Sequence, residues 1–200
     1  DSMHLQAYAL YFSKFIDAYK TEGVNITTLM YQNEAYSYAI YPACSWSNAA
    51  AANFNGKYLG PLFAKTHPEV ELFMGTMNTD NISVFDAILS NPEVAKYIKG
   101  VGFQWQGVDA LPTVRRRYPN YRSVQSESEC GSGTFDWAAA SHTNRLIYRY
   151  LSNGCEKYTF WNAILKDNGV SSWGWLQNSF IRVNSSARTY TYTPEYYAIK

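Results

Sequence analysis

Apolar residues follow two alternating spacings along the chain. Leu5, Tyr8, Phe12, Phe15, Ile16 and Tyr19 recur at helical spacing, and Gly23 follows as a stop. Ile26 to Tyr31 is an apolar, β-branched run that reads as a buried strand. It ends abruptly in Gln32, Asn33 and Glu34. A loop rich in Tyr, Pro and Ser leads to a helical stretch from about Asn48 to Thr66. A strand from Glu71 to Met77 and a helix from about Val84 to Ile98 come next. Val101 to Trp105 is a third strand, followed by a short helix around Leu111 to Tyr118. Tyr121 to Glu127 is a fourth. A helix with Trp137, Ala140, Asn144, Ile147 and Leu151 on one face then precedes a fifth, Lys157 to Leu165.

Helix and strand thus alternate, which predicts an α/β chain of parallel strands joined by helical crossovers. Two architectures fit: an open doubly wound sheet, or part of a (β/α)8 TIM barrel. The doubly wound nucleotide folds carry a glycine-rich turn after a strand. The segment CGSGTFDW, starting at Cys130, matches neither that pattern nor the P-loop. Polar residues fall instead at several strand ends: Asn33-Glu34, Asn78, Gln104-Trp105, Glu127 and Trp161-Asn162. Functional groups gathered from many strand tips are how a βα barrel builds its site, so the barrel is the expectation. A complete barrel takes about 250 residues. Residues 1–200 are therefore expected to be one partial catalytic domain, with its first strands upstream.

Composition narrows the function. The formal net charge of +1 provides no field for nucleic acid or an anionic membrane. No apolar run reaches the roughly 18 residues of a membrane helix. Arg115, Arg116 and Arg117 read as the solvated face of a short helix. Aromatic content of 17%, with 18 Tyr and 6 Trp, suits a protein whose rings stack on sugars, although core packing also uses such rings. Cys44, Cys130 and Cys155 lack zinc-site spacing, and His4, His67 and His142 are scattered, so no metal and no cofactor are expected. Sequons at Asn25, Asn81 and Asn184 favour an extracellular location.

The chemistry centres on Glu34 and Glu127. A buried strand-borne carboxylate is costly without partners, and a simple ion pair would account for Glu34 alone. Two carboxylates on opposite strands of a barrel mouth are what glycoside hydrolysis uses, one as acid and base, the other as nucleophile. Glu129 shares the strand parity of Glu127 and is the competing candidate.

The segments YFSKFIDAYKTEGVNITTLMYQNE, YPACSWS…YLGP, QSESECG and FWNAIL…SSWGWLQNSFIRV resemble glycoside hydrolase family 30, which includes glucosylceramidases and microbial β-1,6-glucanases. The resemblance implies strands 4 to 8 of a barrel with their helices, a retaining mechanism and a carbohydrate substrate. It implies Glu34 as acid/base, Asn33 as the amide contacting the sugar 2-hydroxyl, and Glu127 as nucleophile. Trp161 matches an aromatic wall with Asn162 beside it. Gln104-Trp105 stands where many members carry His-Trp-Tyr, a departure that bears on the sugar contacts. Tyr36, Tyr38 and Trp46, after the acid, can stack on substrate or pack their loop, and so can Trp173 and Trp175. Cys44 and Cys130 fall on loops of one barrel face, which allows a disulfide, and Cys155 falls at the opposite end. A carbohydrate-binding barrel without turnover is the alternative.

Overall fold

A computed structural model describes residues 1–37, 39–166 and 168–200, so Tyr38 lies outside the described residues. The chain forms two compact units, Asp1–Val124 and Gln125–Lys200.

The first unit opens with α1 (Ser2–Thr21), whose cap residue Asp1 accepts the His4 N–H, and leads into β1 (Thr28–Met30). A continuous helical stretch follows: α2 (Asn48–Phe54), a π-helical turn (Asn55–Leu59) and α3 (Gly60–Thr66). Then come β2 (Glu71–Met77), α4 (Ile82–Leu89), α5 (Pro92–Ala95), β3 (Ile98–Gln104) and α6 (Gly107–Arg117). β4 (Arg122–Glu127) begins in this unit and ends in the next. The sheet order is β1-β2-β3-β4, and β1, β2 and β3 are mutually parallel. Thr28 faces Glu71, and Met77 faces Phe103.

β2 and β3 are buried along almost their whole length, as expected for parallel strands covered on both faces. Phe73, Met74, Phe85, Ile88, Val101, Phe103 and Leu111 form the centre of this core. The rings of Phe85 and Phe103 stack at 5.8 Å. One glycine makes the β3–α6 turn fit: a Cβ at Gly107 would lie 2.1 Å from the Met77 carbonyl oxygen.

Two expectations shift here. The helix expected from Val84 to Ile98 breaks at Pro92, which lacks an N–H, and Asn91 starts a new turn by accepting the Glu93 N–H at 2.9 Å. The chain consequently enters β3 at Ile98, three residues before the apolar run suggested. Arg115, Arg116 and Arg117 occupy the last turn of α6, where positive charge suits the helix dipole, and Arg117 pairs with Asp86 at 2.5 Å.

The second unit holds the end of β4, then α7 (Trp137–Ser152), β5 (Ile164–Lys166), β6 (Ile181–Asn184), β7 (Thr189–Tyr192) and α8 (Pro194–Ile199). The long fifth strand expected at Lys157–Leu165 is not formed. Tyr158 makes a single parallel bridge to Gln125, and β5 joins a separate sheet of order β5-β6-β7. The reason is competition for backbone partners. Phe180 N donates to the Asn162 carbonyl and Ile181 N to the Ala163 carbonyl, while Phe160 and Phe180 stack at 4.3 Å, so this segment is drawn toward β6.

The face of α7 also differs from expectation. Ala140, Thr143 and Tyr150 are buried, whereas Trp137 and Leu151 are 65% and 45% exposed. α8 packs against α7. Cys44, Cys130 and Cys155 are all thiols, so the Cys44–Cys130 disulfide is absent. Cys130 is buried, and its Sγ accepts from Asn162 Nδ2 at 3.3 Å, a contact that takes the place of a covalent partner. No helix among the described residues is long and apolar enough to cross a membrane.

Gly107→Ala should lower the unfolding free energy by about 1–3 kcal/mol, since the new methyl meets backbone that cannot rotate away. Urea denaturation of the variant against wild type measures the loss.

Candidate active site

Glu34 lies beyond the C-terminal end of β1 and is only 8% exposed. Its backbone sits in the left-handed region at φ 44°, a conformation that costs a non-glycine residue energy and is enriched at functional positions. Thr76, near the end of β2, offsets part of that cost. Its Oγ1 accepts the Glu34 N–H at 2.9 Å and lies 3.3 Å from both the Gln32 carbonyl and Asn33 Oδ1. On the carboxylate itself, Oε2 accepts a hydrogen bond from the Tyr41 hydroxyl at 3.0 Å.

Asn33 is exposed, and Gln104, at the end of β3, donates through Nε2 to Asn33 Oδ1 at 3.0 Å. Gln104 is 1% exposed, so this bond orients the Asn33 amide from below. Trp105 follows immediately with φ 44°, the same backbone strain as Glu34. Tyr36 is half-buried. Its hydroxyl donates to Asn48 Oδ1 at 2.8 Å, and burial pushes the phenol up to about 12.

Trp46 packs its loop. Its Nε1 donates to Gln32 Oε1 at 3.2 Å, and its ring sits 5.1 Å from Tyr31 and 5.3 Å from Phe54. Asn78 donates to Ser37 Oγ, and its Oδ1 is buried with no hydrogen-bond partner among the described residues.

In the second unit, Glu127 ends β4 and is half-buried. Gln125, two residues earlier, is 1% exposed and ties three segments together. Its backbone N–H donates to the Lys157 carbonyl at 2.9 Å, its Oε1 accepts from Thr159 N, and its Nε2 donates to Ser128 Oγ at 2.9 Å. Glu129 is half-exposed and lies 2.9 Å from His142 Nε2 of α7, a partner that sequence reasoning did not supply. Burial raises the Cys130 thiol to about 11, with the Glu127 charge adding to the effect, so this cysteine is not a nucleophile at neutral pH.

Trp161 is 39% exposed. Asn162 beside it turns its amide nitrogen inward, within 3.4 Å of Cys130 Sγ, Gln177 Oε1 and the Asn178 carbonyl. It therefore ties loops together. Trp173 and Trp175 occupy the turn of a short hairpin in which Ser171 N donates to the Trp175 carbonyl at 2.8 Å, and both rings are partly exposed.

The first unit thus brings Asn33, Glu34 and Gln104 together, and in the second Asn162, next to Trp161 in sequence, meets the loop after Glu127 at Cys130. Sequence reasoning missed Thr76 and Tyr41. Thr76 carried a usable signal, being a lone hydroxyl in the otherwise apolar run Leu72 to Met77. Tyr41 carried none, because only the fold of the loop returns it to Glu34.

The profile of the glycosyl hydrolase family 30 TIM-barrel domain matches residues 1–200. The chain is 26% identical to the lysosomal acid glucosylceramidase of Mus musculus over 188 residues, covering 84% of this chain and 36% of that one. It spans about two fifths of the length of the curated relatives it matches. Among solved structures, SrfJ of Salmonella typhimurium superimposes with a TM-score of 0.88 at 18% identity, over 100% of this chain and 47% of that one. The endo-β1,6-glucanase BT3312 does so with a TM-score of 0.85 at 19% identity, over 98% and 47%. With a family profile covering every residue and parallel strands delivering acids and amides at their ends, the chain belongs to glycosyl hydrolase family 30 and carries part of its TIM barrel.

Proposed function

We propose that this chain is part of a retaining β-glycosidase that hydrolyses β-glucosides, β-1,6-glucan or a related glycan. The observation that carries the reading is Glu34: a buried, strained, strand-terminal carboxylate with its neighbour Asn33 oriented by Gln104, in a chain of family 30. The proteins this chain is similar to include a lysosomal acid glucosylceramidase and an endo-β1,6-glucanase, both named for substrates built on glucose.

In this mechanism Glu34 protonates the glycosidic oxygen while Glu127 attacks the anomeric carbon, forming a glycosyl-enzyme. Glu34 then takes a proton from water as the water releases the sugar. Retaining enzymes need these two carboxyl groups about 5–5.5 Å apart. Asn33 binds the sugar 2-hydroxyl, a contact that strengthens as positive charge develops at the anomeric centre. Gln104, Trp105, Tyr36 and Trp161 complete the sugar site, and Tyr41 steers the Glu34 carboxyl. Glu127 rather than Glu129 is the nucleophile of this reading because it closes the Gln125-Ser126-Glu127 motif, and Glu129, 2.9 Å from His142 Nε2, braces the loop. An extracellular site of action belongs to the same reading, with the sequon residues Asn25 and Asn81 both exposed.

The test is azide rescue in the full-length natural protein. Glu34→Ala should lose about 10²–10⁴-fold in kcat on substrates with poor leaving groups, and azide should restore turnover with a β-glycosyl azide as product. Glu127→Gly should lose at least as much, and azide should there give the α-glycosyl azide. Near-wild-type activity in Glu127→Gly would remove it as nucleophile. Polysaccharide binding by the wild type without release of reducing sugar would select a binding protein instead. Thr76→Val, which strips the acceptor from the Glu34 N–H, should lower kcat about ten- to a hundredfold with little change in KM. Steady-state kinetics on an aryl β-glucoside would measure that split.

A further inference from the structure

Glu195 is fully buried in the first turn of α8, yet neither the family chemistry nor the sugar site uses it. Its Oε1 accepts from Asn178 Nδ2, and its Oε2 is buried without a hydrogen-bond partner among the described residues. A buried carboxylate with one oxygen unanswered is expensive, so its retention calls for a specific task.

The task is visible in what Asn178 does. Asn178 is itself fully buried and bonds to the loop that follows Glu127 from two directions. Its backbone N–H donates to the Cys130 carbonyl at 2.8 Å, and its Oδ1 accepts the Gly133 N–H at 2.7 Å. Gly131 lies flat against the same amide at φ +80°, where a Cβ would come within 2.7 Å of Asn178 Cγ. Asn162 Nδ2 reaches the Asn178 carbonyl at 3.3 Å.

The orientation of the Asn178 amide decides whether this clamp holds. A carboxylate can only accept, so Glu195 selects the rotamer that points Nδ2 toward α8 and leaves Oδ1 facing Gly133. Flipped, the amide would oppose one N–H to another, and the loop would lose its anchor. We propose that Glu195 is a positioning residue for the nucleophile: by setting the Asn178 amide it fixes residues 130–133, and through them the end of β4 that presents Glu127. The proposal rests on the glycosidase reading for its kinetic consequence, and on the hydrogen-bond network alone for its structural one.

The kinetic test uses the full-length protein and 2-deoxy-2-fluoro-β-glucosyl fluoride, following the rate at which the reagent labels Glu127. Glu195→Leu keeps the volume and removes the acceptor. It should slow the maximal labelling rate about ten- to a hundredfold, the scale set by small misplacement of a reacting group, with the half-saturating reagent concentration unchanged. Glu195→Gln still offers an oxygen to Asn178 Nδ2 and should restore labelling to within about threefold of wild type. Wild-type labelling in Glu195→Leu, or equal slowing in both variants, would overturn the proposal.

Hydrogen exchange separates this proposal from the reading beneath it. The Gly133 amide should be as protected in the wild type as the buried turns of α7, and should exchange at least about tenfold faster in Glu195→Leu but not in Glu195→Gln. An unprotected Gly133 in the wild type sinks the clamp even when the leucine variant does not fold. A wild-type protein that takes no label from this reagent or from its xylo and fuco counterparts sinks the glycosidase reading, and the clamp then stands or falls on the Gly133 exchange.

Discussion

The left-handed backbone at Glu34 is the constraint on which the strand ends of the first unit depend. A φ of 44° is available to a glutamate only where surrounding bonds hold it, and here they come from three strands. Thr76 of β2 receives the Glu34 N–H, Gln104 of β3 holds the preceding Asn33, and Asn33 and Glu34 themselves prolong β1. This works because the strands are parallel and, beyond the register shifts of β2 between Leu72 and Thr76, pair again as Thr76–Gly102 and Met77–Phe103, so their C-terminal ends arrive together. A slip of one residue would turn each of these side chains to the opposite face.

The second unit manages its loops by another route. Gln125, Gln177, Asn178, Ser179, Thr193 and Glu195 are all buried, and amides tie its segments where the first unit uses Phe and Leu. Buried polar groups of this kind stabilise little on average, but their directionality admits one arrangement of the chain. The loop after Glu127, anchored at Cys130 and Gly133 by Asn178, is held in one shape by that selectivity. Apolar packing of equal area would tolerate several loop conformations.

Both units share a division of labour in which the elements are specified by apolar periodicity and the strand ends by polar contacts between distant residues. Thr76 to Glu34, Gln104 to Asn33 and Asn178 to Gly133 each bridge more than forty residues of sequence. The two strained non-glycine residues at φ 44°, Glu34 and Trp105, both immediately follow an amide in this scheme. Strain and support therefore sit side by side at the strand ends.

Local pattern was sufficient for the alternating elements of the first unit, for their parallel pairing and for the acid–amide pair at the end of β1. Helical spacing, β-branched runs and polar punctuation act over a few residues and are written directly in the chain. The same signals failed at Lys157–Leu165, where an apolar run reads as one strand. Its backbone instead divides between a single bridge to Gln125 and a ladder to β6. The exposed side of α7, Tyr41 beside Glu34, Trp46 in its aromatic cluster and Glu195 beneath Asn178 were likewise decided only in three dimensions. Each depends on which distant group occupies the neighbouring space, and such a contact leaves no trace in residue order.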